Sequence, residues 1–352
     1  MTKRRRVAVI PGDGIGPEVI REALKVLDAV ERKHSLGLVL ETLPFGADHY
    51  LKTGITIPPA EMQRLGRDFD AILLGALGDP RVPGNEHAKD ILLGMRFQLD
   101  LYVNERPAKL MHDRLTPLKG KTARDIDLVI FRENTEGLYV SVGGHFKEGT
   151  PDEIAIAEEL NTRKGVERIV RHAFTWAREH GKTKVTMSDK ANAIEAHRLW
   201  RRVFEEVGAE FPQIKRDVRY VDAMAMDLVR APEQFEVIVT GNLFGDILSD
   251  LASMIAGGLG IAPSANRHPG KVAMFEPVHG SAPPMAGKDT ANPMAAILTL
   301  AMMLETLGAA EAAREVESAV SAAVAHSVGT TDVGGSLGTR AVGDWIAARV
   351  SR

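Results

Sequence analysis

The stretch GDGIGPE at residues 12–18 stands between the apolar run VAVIP (7–11) and the helical pattern EVIREALKVLDAV (18–30). Whether it is a dinucleotide-binding turn decides what kind of α/β protein follows. A Rossmann turn reads G-x-G-x-x-G and is answered about 20 residues on by an acid ending the next strand, where it holds a ribose. Here the glycines fall at 12, 14 and 16, Pro17 comes next, and the acid near the right distance, Glu31, lies inside the helical pattern. The fingerprint fails on both counts. What remains is a tight strand-to-helix turn, in which glycine permits positive φ or close approach and Pro17 suits a first helical turn.

Outward from this turn, strand and helix patterns alternate. VAVI, LVLETLPF and DAILLGAL read as strands, with EVIREALKVLDAVERK and AEMQRLGR as helices between them. A long helix is expected from Lys89 to Val103. The middle holds the strands DLVIFREN, KVTMSD and VRYVDA and the helices GVERIVRHAFTWAREH and EAHRLWRRVFEEVG; FEVIVTGNLFG then runs into the helix DILSDLASMIAGGL. GIAPSANRHPG and EPVHGSAPPMAGKDTANP read as loops, and GAAEAAREVESAVSAAVAH as an ordinary helix. Such alternation predicts an α/β sheet protein rather than a series of hairpins. No repeat at solenoid periods is present.

With 352 residues, 44% hydrophobic and 26% charged, the chain suffices for two domains. A net charge of -3 leaves no electrostatic footprint for nucleic acid or an anionic membrane. The absence of cysteine excludes thiolate nucleophiles, disulfides and thiolate metal sites, so any metal must sit among oxygens and nitrogens. The basic run Lys3, Arg4, Arg5, Arg6 precedes an apolar stretch too short for a signal peptide. The longest apolar segment, Met294 to Leu304, falls short of the roughly 20 residues of a membrane span. A soluble, cytoplasmic protein is expected.

Charge placement suggests chemistry. In GNLFGDILSDLASM, Asp246 and Asp250 share one helical face, where like charges at i,i+4 repel unless a cation lies between them. Hard cations such as Mg²⁺ and Mn²⁺ take such oxygen ligands. The alternative is that Asp246 caps the helix and Asp250 is solvated. Asp222, at the end of VRYVDA, is a third candidate ligand. In KDILLGMRF, Leu92 and Leu93 lie four and three residues before Arg96, so all three share a face suited to a carboxylate with an apolar branch. Arg106 and Arg132 follow, and arginine grips carboxylates bidentately. Taken singly, each arginine reads as a surface residue and the leucines as plain core; it is their joint occurrence that points to a site.

FRENTEGLY, NLFGDILSD, FEPVHGSAP and ANP, in this order and over nearly the whole chain, resemble the metal-dependent β-decarboxylating dehydrogenases, which include isopropylmalate, isocitrate, homoisocitrate and tartrate/D-malate dehydrogenases. The resemblance implies an isopropylmalate dehydrogenase-like two-domain α/β fold with a mixed central sheet flanked by helices, not a Rossmann fold. One large cofactor domain (1–101 and 257–352) and one smaller domain (102–256) with arm, dimer interface and metal site are expected. It further implies a homodimer with shared active sites, paired through GGHFKEGTPDEIAIAEELNTRKG.

By matching motifs, Leu92, Leu93, Arg96, Arg106 and Arg132 would bind substrate. Asp246 and Asp250 would hold Mg²⁺ or Mn²⁺ together with the partner's Asp222. Tyr139, Lys190 and Asp222 would be catalytic, with Lys190 also coming from the partner. NAD would lie on Ile15, Glu276, His279, Gly280, Ser281, Ala282, Pro284, Met285, Ala291, Asn292 and Asp332. The reaction so implied is hydride transfer from a 2-hydroxy dicarboxylate, proton removal by Lys190 or by Asp222 through water, loss of CO₂, and protonation of carbon by Tyr139.

Isocitrate enzymes resemble one another in having Ser and Asn where this chain has Asp90 and Leu92, and homoisocitrate enzymes place a further arginine near Leu93. The apolar pair therefore favours 3-isopropylmalate, whose isopropyl group gains about 2 kcal/mol on burial. Lys89, where many isopropylmalate enzymes carry Glu, and the RENTEG and GG stretches keep tartrate and D-malate in view. A non-catalytic regulatory subunit would be expected to lose catalytic positions that this chain retains.

NAD-using members read HGSAPD, but Pro284 stands in place of that aspartate and accepts no ribose hydrogen bond; Asp332 matches the NAD pattern. The expected outcome in steady-state kinetics is NAD preferred over NADP, with weakened ribose binding. An NADP preference of about tenfold or more, roughly 1.4 kcal/mol, would reverse that assignment.

Overall fold

The GDGIGPE turn folds as a clasp between backbones. In the computed structural model, which describes residues 4–351 and so leaves Lys3 of the basic run outside, Gly12 and Gly14 adopt φ of +74° and +56°. A side chain at Gly12 would collide with the Ala76 carbonyl, and one at Gly14 with the Ser281 carbonyl. The Ile15 amide donates to that same Ser281 carbonyl at 2.8 Å. Asp13, buried between them, accepts from the amides of Ala47 (2.6 Å) and Gly78 (2.8 Å) and lies 2.8 Å from His87 Nε2. The glycines thus serve the packing of the protein on itself.

The chain divides into two units. The first runs to Leu101 and includes Arg106–Ile126 and the chain from Ser253 onward; the second holds Tyr102–Glu105 and Asp127–Ala252. In chain order, β1 (Arg5–Gly12), α1 (Gly16–His34), β2 (Leu38–Thr42), α2 (Ala47–Thr53), α3 (Pro59–Asp68), β3 (Ala71–Ala76) and α4 (Glu86–Gln98) lead to β4 (Val103–Lys109), whose residues are divided between the units. Then come β5 (Asp127–Glu133), the hairpin β6 (Gly143–Phe146) and β7 (Ile154–Ala157), α5 (Arg163–Glu179), β8 (Lys184–Asp189) and α6 (His197–Gly208). The second unit closes with β9 (Lys215–Tyr220), α7 (Val221–Arg230), β10 (Val237–Thr240) and α8 (Asn242–Ile255), the last turn of α8 counting with the first unit. β11 (Pro263–Arg267), β12 (Ala273–Pro277), α9 (Met294–Thr306), α10 (Ala310–Ala325) and α11 (Thr339–Val350) complete the first unit.

Within the first unit the strands run β2-β1-β3-β12-β11, parallel except for β11 against β12; in the second they run β5-β10-β8-β9, all parallel. The chain is therefore an α/β protein with mixed sheet flanked by helices. The period of two along each strand sorts the first unit's core into two layers. Val7, Val9, Leu73 and Phe275 pack with residues of α1, α9, α10 and α11, whereas Ala8, Ile10, Ile72, Leu74 and Met274 pack with Met62, Leu65, Ile91 and Met95 of α3 and α4. Both faces being covered, these strands read as unbroken apolar runs. Met294 to Leu304 are all buried in α9, a helix apolar all round because it lies inside the core. Among the described residues no helix is long and apolar enough to cross a membrane.

Three expectations need correction. The helix expected from Lys89 to Val103 ends at Gln98, because Asp100 adopts φ +51° and the chain then enters β4. GIAPSANRHPG is not all loop: Pro263–Arg267 form β11, whose polar side chains are satisfied inside, Ser264 Oγ donating to the Glu276 carbonyl at 2.7 Å and Asn266 Nδ2 to Glu276 Oε1 at 2.9 Å. Asp222 does not end a strand; β9 stops at Tyr220 and Asp222 lies in the first turn of α7.

A left-handed residue gains about 1–2 kcal/mol of strain when glycine is replaced by alanine, before any collision is counted. Gly14→Ala should therefore lower the unfolding free energy by about 2 kcal/mol or more, read as a reduced urea midpoint; an unchanged midpoint would show that the clasp is not constraining.

Candidate active site

The second unit brings Arg132 and Tyr139 together on the Asp246 carboxylate, with Asn242 on the far side of Arg132. Arg132 leaves the end of β5 and is 1% exposed. Its Nε donates to Asn242 Oδ1 at 2.8 Å, its Nη1 pairs with Asp246 Oδ1, and its guanidinium lies 5.1 Å from the centre of the Tyr139 ring. The Tyr139 hydroxyl donates to the other carboxylate oxygen, Asp246 Oδ2, at 2.7 Å. A side chain at Gly245 would collide with the Arg132 stem, so the glycine of NLFGD is what lets α8 approach β5. Asp250 follows one turn after Asp246 and is exposed.

The turn carrying Tyr139 is built on Glu133. Its buried carboxylate accepts from the Thr135 amide (3.0 Å), the Thr135 hydroxyl (2.7 Å) and the Glu136 amide (2.7 Å), and burial pushes its pKa up against those bonds. Glu136 in turn accepts from the Thr162 backbone amide at 2.8 Å and the Thr162 hydroxyl at 2.5 Å, tying the turn to the start of α5. Asn242, Glu133 and Glu136 were not singled out from the sequence; their polar partners are distant in the chain, and only the NTEG and GNLFG motifs hinted at them.

A second pair forms in the same unit. Lys190 Nζ lies 2.7 Å from Asp222 Oδ1, and this hydrogen bond, foremost, holds the Asp222 carboxyl below its ordinary range. Among the described residues no three His, Asp or Glu side chains converge as a metal cage, so Asp222, Asp246 and Asp250 are not assembled by one chain. The donor chemistry of Asp246 and Asp250, carboxylate oxygens one helical turn apart and partly open to solvent, suits a hard divalent cation with ligands still to be supplied.

In the first unit, Arg96 is 5% exposed and its Nη2 donates to Glu276 Oε1 at 2.8 Å, while its buried Nε has no hydrogen-bond partner. That unmet donor fits a carboxylate ligand. Leu92 and Leu93 are half-buried on the same helix, and Arg106 is buried in β4. Glu276 is thus occupied by Arg96 and Asn266.

The expected cofactor loop follows β12. His279 Nδ1 lies 3.0 Å from the Gly280 carbonyl, so Nδ1 carries the proton and Nε2 is an acceptor; that Nε2 is buried with no partner, and burial pushes the imidazole pKa down, keeping it neutral. An unpartnered acceptor in this loop fits a hydroxyl or amino group of an adenine dinucleotide. Ser281 is held by Ile15, Ala282 adopts φ +39°, and Pro284 and Met285 form a short 3₁₀ turn. Asn292 Nδ2 donates to Asp332 Oδ2 at 3.0 Å, and Ala291 is fully buried beside it.

Comparison with known proteins shows the family. The sequence profile described as isocitrate/isopropylmalate dehydrogenase matches residues 6–346. A 3-isopropylmalate dehydrogenase of Thermobifida fusca is 49% identical over 89% of this chain and 89% of that protein. Another, from Streptomyces griseus, is 47% identical over 89% of this chain and 90% of that protein. Among solved structures, isocitrate dehydrogenase from Methylococcus capsulatus superposes with a TM-score of 0.89 at 38% identity, covering 99% of this chain and 100% of that one.

A carboxylate whose folded pKa is lowered contributes stability above its unfolded pKa and loses it as pH falls through the folded value. The Lys190–Asp222 pair should accordingly persist through neutral and mildly acid pH. In Lys190→Met the Asp222 carboxyl should titrate at higher pH than in the wild type by ¹³C NMR; an unmoved titration would show that lysine is not what lowers it.

Proposed function

Because the chain belongs to the isocitrate/isopropylmalate dehydrogenase family, we propose that it catalyses the NAD- and divalent-metal-dependent oxidative decarboxylation of 3-isopropylmalate to 2-oxoisocaproate, a step of leucine biosynthesis. The observation that carries this reading is Asp246, gripped by Arg132 on one oxygen and by the Tyr139 hydroxyl on the other. It joins a carboxylate-binding cation, a proton donor and a metal-type ligand in one cluster.

Arg96, Arg106 and Arg132 would hold the two carboxylates, and Leu92 and Leu93 the isopropyl group, whose burial favours this diacid over malate by about 2 kcal/mol. Lys190, desolvated by substrate and beside Asp222, would take the hydroxyl proton. Tyr139 would give a proton to carbon after CO₂ departs. Asp246 and Asp250, with Asp222 from a second copy, would hold Mg²⁺ or Mn²⁺, which when bound supplies Lewis acidity for the charge that develops. NAD, when bound against Ile15, the His279–Met285 loop, Asn292 and Asp332, supplies the hydride acceptor.

The placement of the acids supports a homodimer. Asp222, Met226 and Val229 share one face of α7, with Met226 65% and Val229 46% exposed; Ile247, Asp250 and Met254 share one face of α8, with Ile247 59% and Met254 52% exposed. Exposed apolar stripes of this kind mark association surfaces. Pairing through them would carry the acids of one copy toward the other, and the exposed apolar side chains of the β6–β7 hairpin, Phe146, Ile154 and Ile156, offer a further association surface. We place the protein in the cytoplasm on the strength of its biosynthetic relatives.

The test is a panel of 3-isopropylmalate, D-malate, tartrate, isocitrate and homoisocitrate with NAD and Mn²⁺. The highest kcat/KM is expected on 3-isopropylmalate, and Asp246→Asn should lower it by about a thousandfold, or roughly 4 kcal/mol. Faster turnover of D-malate would replace the substrate, and no CO₂ from any of the five would favour a regulatory subunit.

A further inference from the structure

His197 has no role in the reading above, yet it is 4% exposed and its ring is engaged at both nitrogens. It is the first residue of α6, after an N-cap, Ala196, that offers no side-chain hydrogen bond. Its Nδ1 lies 2.9 Å from the backbone nitrogen of Lys190, and its Nε2 lies 2.8 Å from Glu159 Oε1. A peptide N–H can only donate, so Nδ1 is the accepting nitrogen, and the ring proton sits on Nε2, which donates to the carboxylate. The Glu159 contact therefore sets the tautomer that the Lys190 contact needs.

Glu159 is itself held in place. Asn161 Nδ2 donates to the same oxygen at 3.0 Å, Trp200 Nε1 donates to Asn161 Oδ1 at 2.8 Å, and the His197 hydrogen bond, foremost, keeps the Glu159 carboxyl below its ordinary range. Phe244, two residues before Asp246, stands edge-on to the imidazole with ring centres 5.5 Å apart. On the lysine side, the Ala191 amide donates to Asp189 Oδ1 at 3.1 Å, and Arg201 grips Asp189 at 2.7 and 3.0 Å. The Lys190 carbonyl accepts from the amides of Ala193 and Ile194, both at 2.9 Å. The backbone of Lys190 is thus pinned from either side.

We propose that His197 is a positioning residue for Lys190: by accepting the Lys190 amide hydrogen in a tautomer set by Glu159, it fixes the point from which the lysine side chain reaches the substrate hydroxyl. This rests on the reading of Lys190 as a proton-handling residue. A displacement at the root of a side chain is carried to its tip, and misplacement by about 1 Å can cost a hundredfold in rate. The consequence falls on turnover rather than on binding, since the substrate carboxylates are assigned to arginines on other elements.

Two near-isosteres separate this role from simple packing. Asparagine at 197 can set its side-chain oxygen where Nδ1 lies, whereas glutamine reaches the Nε2 position and leaves the Lys190 amide without its acceptor. With 3-isopropylmalate and NAD, His197→Gln should lower kcat about tenfold or more with substrate KM changed less than about threefold, and His197→Asn should stay within about threefold of wild type. Amide hydrogen exchange at Lys190 should quicken in the glutamine variant and not in the asparagine one. Equal losses in both variants, or a change confined to KM, would overturn the proposal. Lys190→Met is the control: if it retains wild-type kcat, the assignment of Lys190 itself fails, whereas its inactivity alongside a fully active His197→Gln removes only the role of His197. Should His197→Gln not fold, Glu159→Leu, which removes the acceptor that holds the proton on Nε2, takes its place, a drop in kcat at constant KM supporting the proposal and an unchanged kcat overturning it.

Discussion

A guanidinium that is 1% exposed cannot stand without a counter-charge, and the second unit is arranged around meeting that demand at Arg132. Leaving such a cation unpaired costs several kcal/mol, far more than a surface ion pair returns. Asp246 supplies the charge from α8, Asn242 satisfies Nε from the first turn of the same helix, and Tyr139 lies beside the guanidinium from the turn after β5. Three elements are thereby set in place by one buried charge. The small residue at 245 follows from it, because the arginine stem fills the space a side chain would need.

The same economy governs the lysine. Lys190 sits at the exit of β8, the strand next to β10 in a wholly parallel arrangement. Parallel strands deliver their ends to one side, and there Asp189, His197 and Glu159 fix the backbone while Asp222 takes the ammonium group. The proton-handling role proposed for Lys190 would draw on this fixed backbone, which gives its side chain a defined origin.

The first unit solves a different problem, that of holding a long polar loop still. The loop after β12 contains two consecutive prolines and few residues able to join a sheet ladder. Its anchor is the Ile15 amide on the Ser281 carbonyl, reached because Gly14 has no side chain. The glycine turn that resembles a nucleotide-binding motif thus fixes, through the Ile15 amide, the loop that holds His279 with an open acceptor nitrogen.

Local pattern alone determined most of the architecture. The apolar runs of β1 and β3 mark strands covered on both faces, the spacing of Val19, Ala23, Val26 and Val30 marks the buried stripe of α1, and the motifs FRENTEGLY and NLFGDILSD placed Arg132, Tyr139, Asp246 and Asp250. Periodicity is a property of neighbours, so it survives in one dimension. What only the tertiary structure decided are the partners of polar groups. Ser264 and Asn266 look like loop residues until the Glu276 strand beside them is known, Arg96 meets Glu276 from 180 residues away, and Asp222 gains its place only where β9 gives way to α7. A polar side chain reads the same in sequence whether water or a buried partner satisfies it, and only the fold says which.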